Sequence, residues 1–180
     1  LFKEREWTNY KVTSGDYNKA KKETLPAISK ETDIAIIRIQ VYNDGGSDRR
    51  FGGADSTELD FLSFSDMAKS KSWKMSPSLE DIQAVMQSVG ANKTILSIDF
   101  RQPYVLDEAS GLLNAAGILA TFGVSDAAVM DIIMGKFNPT GKLPFALAKT
   151  SAAVIKQDPD APGYPEKDTL FPFGFGLNYE

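Results

Sequence analysis

Asp33-Ile34-Ala35-Ile36-Ile37-Arg38-Ile39-Gln40-Val41 is the stretch on which the fold turns. It is dense in β-branched residues and almost continuously apolar at its start, which suits a strand covered on both faces, as in a parallel sheet. Lys93 to Phe100 has the same character, Ala115 to Phe122 repeats it more weakly, and Tyr10-Lys11-Val12-Thr13 reads as a short first strand. Between these runs the period becomes helical. Ser78 is placed as an N-cap, Glu80 and Asp81 fall in the first turn, and Leu79, Ile82, Val85, Met86 and Val89 form one apolar face that Gly90 closes. Ser125 similarly caps a helix over Asp126 to Met134, with Gly135 at the stop and Asn138-Pro139 beyond it. Asp16 to Leu25, ended near Pro26, and the short Asp107 to Asn114 are read as two further helices. Strands alternating with helices of this length predict an α/β fold: doubly wound, a mostly parallel sheet with helices on both faces, in a three-layer α/β/α sandwich.

The composition supports one folded unit and narrows its chemistry. With 42% hydrophobic and 24% charged residues and a net charge of -4, the 180 residues match a globular protein with a sizeable core. Gly111 to Val124, the longest weakly polar stretch, is broken by Asn114 and is shorter than the roughly 18 residues of a membrane span, so none is expected. There is no His and no Cys. That excludes Ser-His-Asp and Cys-His nucleophilic units, His- or thiolate-held metals and disulfides, and leaves carboxylates, Lys, Tyr and hydroxyls to do any chemistry. No metal and no cofactor are expected. The acidic balance argues against nucleic acid as a partner, and Lys19-Ala20-Lys21-Lys22 reads as a solvated helix face. The chain opens on Leu1 without a basic segment and apolar run, which reads as a fragment of a longer protein.

Two segments depart from a minimal βαβ pattern. Tyr42 to Lys74, some 33 residues rich in Gly, Ser, Asp and Lys, reads as a long loop leaving the carboxyl end of a central strand, the edge where open α/β sheets bind ligands. It carries Asp44, Asp48, Asp55, Glu58, Asp60 and Asp66 together with Arg49 and Arg50, a set that can hold a polyhydroxylated ligand and supply a general acid, although a solvated loop is the simpler account of such residues alone. The second is the tail Ala148 to Glu180, whose Pro159, Pro162, Pro165 and Pro172 exclude regular helix. Gly45-Gly46, Gly52-Gly53 and Gly174-Phe175-Gly176 supply glycines but no complete phosphate-binding motif, so nucleotide or flavin binding is disfavoured. Asn138-Pro139-Thr140-Gly141 reads as a structural turn, and most rings of Phe171 to Tyr179 as packing under the sheet.

Three motifs together resemble a known family. Ala120-Thr121-Phe122-Gly123-Val124-Ser125-Asp126-Ala127-Ala128, Gly135-Lys136-Phe137-Asn138-Pro139-Thr140-Gly141-Lys142-Leu143-Pro144-Phe145 and Phe171-Pro172-Phe173-Gly174-Phe175-Gly176-Leu177-Asn178-Tyr179 are similar to the C-terminal α/β sandwich domain of glycoside hydrolase family 3. The resemblance covers roughly residues 30 to 180, so residues 1–30 are read as a poorly matched segment holding a first strand and helix, and 31–180 as the domain. It implies a retaining β-glycosidase of β-glucosidase type acting on a β-linked glucoside or oligosaccharide. It also implies an N-terminal (β/α)8 barrel in the same parent chain, bearing an Asp nucleophile and absent from these residues. A secreted or periplasmic location is favoured over a cytoplasmic one. In many members a loop after a central strand reads G-E-G-x-D-R and supplies the Glu acid/base; here the nearest match is Asp44-Gly45-Gly46-Ser47-Asp48-Arg49, which puts Gly45 in the Glu position. Asp44 or Glu58 can take the acid/base role, or the acid comes from elsewhere; Asp48 and Arg49 are the substrate-binding candidates, with pinning of the loop as their structural alternative. A noncatalytic supporting domain is the alternative to a site-completing one.

Overall fold

The computed structural model describes residues 5–7, 10–12, 34–43, 63–70 and 73–179. β1 (Arg5–Trp7) and β2 (Tyr10–Val12) pair antiparallel in a sheet of their own, so the expected first strand exists but does not join the main sheet. The helix expected over Asp16 to Leu25 lies outside the described residues. The main sheet contains β3 (Ala35–Asn43), β4 (Trp73–Ser76), β5 (Thr94–Asp99) and β6 (Gly117–Thr121), in the order β4-β3-β5-β6. β3, β5 and β6 run parallel, with Ile37 opposite Leu96, Ile39 opposite Ile98, and Asp99 opposite Thr121. The two runs read as inner strands are therefore the inner strands.

Period-two alternation explains what each face buries. Ile37, Ile39 and Val41 on β3, with Leu96 and Ile98 on β5, face α2 (Leu79–Val89) and its buried Leu79, Ile82, Val85 and Met86. Ile39, Ile82, Leu96 and Ile98 are 0% exposed, and each such side chain contributes about 1.5–3 kcal/mol by leaving water. The helix begins where Ser78 Oγ accepts from Asp81 N at 3.2 Å and stops at Gly90, whose φ of +105° favours glycine. Arg38 lies on the opposite face of β3 and pairs with Asp126 at the head of α3 (Asp126–Ile133), which buries Val129 and Met130. Ser125 caps that helix through Ala128 N at 3.3 Å. Helices thus flank both faces of an α/β sandwich.

Three expectations are corrected. Tyr42 to Lys74 is not loop throughout: α1 (Phe64–Met67) lies within it, and β4 begins at Trp73 and pairs antiparallel with the second half of β3, Asn43 opposite Trp73. Four residues ahead of Pro77 leave too little alternation for a strand to be read. Asp107 to Asn114 is not an α-helix but two 3-10 turns, Glu108–Ser110 and Leu112–Asn114. Asp107 accepts from Ser110 N at 3.0 Å while Ser110 Oγ bonds Asp107 O at 2.6 Å, closing the first turn early, and Gly111 at φ +72° redirects the chain. The tail does contain a helix, α4 (Ser151–Lys156), ahead of Pro159 and capped by Thr150 Oγ1 on Ala153 N at 3.1 Å. β7 (Leu147–Ala148) and β8 (Thr169–Phe171) bracket it as an antiparallel pair.

Tyr104 shows how tightly the core closes at one end. It is 2% exposed, edge-on to Phe64 at 5.8 Å and tilted against Phe100 at 5.6 Å. Burial pushes its phenol up to about 12 from the ordinary 10.0, with the Arg101 charge pulling weakly the other way. Below pH 10 the group is neutral folded and unfolded; above it the unfolded chain releases the proton first, so stability is lost as pH rises from 10 to 12. Urea midpoints measured from pH 8 to 12 should fall in that window, and Tyr104→Phe should recover on the order of 2 kcal/mol of the loss at the alkaline end. An unchanged alkaline slope in the variant would assign the loss to other groups.

Candidate functional site

The parallel register fixes a carboxyl edge. Gln40, Asp99 and Thr121 stand in one row across β3, β5 and β6, and the chain leaves β3 just beyond, at Asn43. Asp44, Asp48, Arg49 and Glu58, the four residues singled out from the sequence, lie outside the described residues. Asp66, another carboxylate of that segment, is described and committed locally: Ser63 Oγ donates to it at 2.6 Å and accepts from its backbone N at 3.2 Å at the head of α1.

The edge also holds a cluster that the sequence did not reveal. Asp99 Oδ1 accepts from Gly123 N at 3.2 Å, clipping the turn after β6 to the end of β5. Its other oxygen lies 3.8 Å from Arg101 Nε, with Asp99 19% and Arg101 64% exposed. Phe122, on the clipped turn, rests on Phe100 at 6.2 Å and Phe145 at 6.0 Å and is 51% exposed on its outer side. Thr121 Oγ1 bonds Ile98 O at 3.1 Å and Phe100 N bonds Thr121 O at 2.8 Å, so β5 and β6 stay zipped to their ends. Only the strand pairing brings 99–101 to 122–123; no local spacing predicts it. A shallow open recess beside α2, lined by Gln83, Gln87 and Asn114, lies at the opposite end of the strands and has no ionisable group. Among the described residues no group of three or more His, Cys, Asp or Glu is placed to hold a metal ion.

Two of the motifs read from the sequence meet each other. Asn138 Oδ1 accepts from Tyr179 N at 2.8 Å and its Nδ2 donates to Tyr179 O at 3.3 Å. Leu143 N bonds Phe175 O at 2.8 Å, Gly174 N bonds Leu143 O at 2.9 Å, and Lys142 Nζ reaches Gly176 O at 2.8 Å. Residues 138–143 and 174–179 therefore form a ribbon, which Tyr179 Oη ties to the end of α3 through Ile132 O at 2.6 Å. The structural reading of Asn138 to Gly141 agrees with this placement. The aromatic tail divides: Phe171 packs on the core with Phe175 stacked on it at 4.8 Å, while Phe173 is 74% exposed because the turn at Gly174, φ +76°, directs it outward.

These features define the class: an α/β sandwich whose carboxyl edge faces outward and whose last strands are held by a ribbon joining two motifs. The family profile of the glycosyl hydrolase family 3 C-terminal domain matches residues 8–179, and the chain belongs to that family. Beta-glucosidase C of Emericella nidulans is 28% identical over 182 residues, covering 100% of this chain and 26% of the relative. A periplasmic beta-glucosidase/beta-xylosidase of Dickeya chrysanthemi is 35% identical over 97 residues, 54% of this chain and 14% of the relative. A solved family 3 beta-glucosidase from Neurospora crassa shares 23% identity over 54% of this chain and 15% of its own, with a TM-score of 0.39. The chain thus spans about a quarter or less of these relatives. No helix among the described residues is long and apolar enough to cross a membrane.

Proposed function

We propose that the chain is the C-terminal domain of a retaining β-glucosidase and completes the sugar site of a separate (β/α)8 barrel that carries the Asp nucleophile. The observation that carries this reading is the family match across residues 8–179, joined to relatives named as beta-glucosidases. The substrate is a β-linked glucoside or oligosaccharide, the protein partner is the barrel of the same parent chain, and the reaction needs no cofactor. A secreted or periplasmic location is favoured, supported by the relative named as periplasmic.

In this mechanism the segment after β3 brings a carboxyl group over the barrel mouth. There it protonates the glycosidic oxygen as the barrel Asp forms the bond to the anomeric carbon, the two carboxyl groups standing about 5–5.5 Å apart. Asp44 and Glu58 are the candidates, and Asp48 with Arg49 binds sugar hydroxyls. Gly45, standing where the family motif places Glu, favours a second reading in which the domain is a noncatalytic support. Leaving-group dependence in the full-length enzyme separates the two. Replacing the acting acid, by Asp44→Asn or Glu58→Gln, should cut turnover of alkyl glucosides about 10²- to 10⁴-fold and spare activated aryl glucosides, which need no protonation. If both variants cleave alkyl glucosides at the parent rate, neither residue is the acid, and what stands is an acid from elsewhere or the supporting-domain reading.

A further inference from the structure

We infer that Asn92 is the acceptor of an N-linked oligosaccharide, attached before β5 folds and carried at the end of the main sheet opposite its carboxyl edge. The inference rests on the secreted location proposed above and adds to it a covalent modification of this chain.

Transfer of an oligosaccharide to asparagine requires Asn-X-Ser/Thr with X other than Pro. Two Asn residues of the chain have Thr two positions on, in Asn92-Lys93-Thr94 and Asn138-Pro139-Thr140. The second is blocked twice, by Pro139 and by a carboxamide whose two ends are taken by Tyr179 at 2.8 and 3.3 Å. Asn92 differs in both respects. It is exposed on the 3-10 turn Ala91–Lys93 between α2 and β5, and its carboxamide has no hydrogen-bond partner among the described residues. The backbone beneath it is held, by Lys93 N on Gly90 O and Ala116 N on Ala91 O, each at 3.0 Å.

Thr94 sets the order of events. It begins β5, is 0% exposed, and its Oγ1 donates to Gly90 O at 2.9 Å. The transferase has to meet that hydroxyl, so transfer precedes the docking of β5. In the step, Asn92 Nδ2 bonds to the anomeric carbon of the first N-acetylglucosamine and loses a proton. The bond from that carbon to a lipid-linked diphosphate breaks, and the lipid diphosphate leaves with the electron pair. The folded surface then has room for the product. Ala35 stands opposite Thr94, so Ile34, 53% exposed, and the exposed Ala116 lie at this same end, where a bulky hydrophilic chain covers them. At about 3.3 Å per residue, β5 puts Thr94 roughly 17 Å from Asp99, which keeps the sugar clear of the carboxyl edge.

The test is translation of the full-length enzyme, behind a signal peptide, into microsomes that carry the lipid-linked oligosaccharide. Peptide mass spectrometry after enzymatic deglycosylation should find Asn92 converted to aspartate. Asn92→Gln should lose one glycan step on a gel relative to the parent, and Thr94→Ser should keep it. The unglycosylated enzyme, purified already folded and added to opened microsomes, should take no sugar at Asn92. An unmodified Asn92 in the translocated chain, or a gel pattern unchanged by Asn92→Gln, would overturn the inference, and modification of the folded enzyme would overturn the order of events. Glycosylated parent and Asn92→Gln should cleave an aryl β-glucoside with equal kcat and KM; a difference on this substrate would contradict the placement away from the carboxyl edge. Should the enzyme be recovered from the cytoplasm of its own cell, the location reading fails by itself, and the microsomal chain still decides whether Asn92 is an acceptor. Enzyme secreted by its own cell with Asn92 bare overturns the inference.

Discussion

Gly176→Ala should destabilise the domain by about 3 kcal/mol, whereas Gly141→Ala, in the partner motif, should cost less than about 0.5 kcal/mol. A Cβ at position 176 would stand 2.3 Å from the Gly141 carbonyl oxygen and 3.4 Å from its carbon, both backbone atoms, and 3.0 Å from Lys142 Cδ. The lysine tip can move; the backbone cannot. Asn138 holds it from one side through Tyr179, and Leu143 from the other through Phe175 and Gly174. Relief requires the ribbon to open, at about 1 kcal/mol for each hydrogen bond lost, and the opening draws Leu143 and Phe171 away from the core they partly cover. A Cβ at 141 meets nothing within 4 Å. Urea denaturation of the two variants checks the contrast; for a chain of this size the first should melt roughly 6–12 °C below the parent. Equal midpoints would show that the close approach at Gly176 is not a constraint.

The same ribbon shows what could be read from the chain and what could not. β3, β5 and α2 were legible because their signals are local: a continuous apolar run marks a strand covered twice, and α2 runs over Leu79–Val89 as its cap, apolar stripe and terminal glycine indicate. Asp107 to Asn114 misled because Asp and Ser at a helix start also close 3-10 turns, and only the Gly111 conformation decides between them. The motifs at 135–145 and 171–179 pointed to a family, yet nothing in either stretch states that Asn138 and Tyr179 bond across 41 residues. Asp99, Arg101 and Phe122 were passed over for the same reason: their proximity is a product of sheet register, and each is unremarked in its own neighbourhood. The acid was illegible differently. Where the resembling motif offers a Glu, the chain has Gly45, so the spacing rule that locates the loop gives no residue for its chemistry.

The largest effect concerns the 180 residues by themselves, which on the proposed reading should hydrolyse no glycoside. Retaining cleavage needs two carboxyl groups on opposite tasks, one attacking the anomeric carbon and one protonating the leaving oxygen. In the proposed division the attacking group belongs to the barrel, and neither His nor Cys is present to replace it with another covalent nucleophile. A lone positioned acid gives about 10²- to 10⁴-fold acceleration, while enzymes as a class reach about 10⁶- to 10¹⁷-fold, so the gap is too wide for the domain's own carboxylates to close. Asp99 does not narrow it: both of its oxygens are engaged, one by Gly123 N and the other by the Arg101 guanidinium. The measurement is release of phenol from an activated aryl β-glucoside by the purified chain, against the same assay on the full-length enzyme. Background turnover that persists unchanged through substitution of every carboxylate at the carboxyl edge belongs to a contaminant. Turnover abolished by a single substitution within these residues would place both halves of the chemistry in this domain and reverse the proposed division.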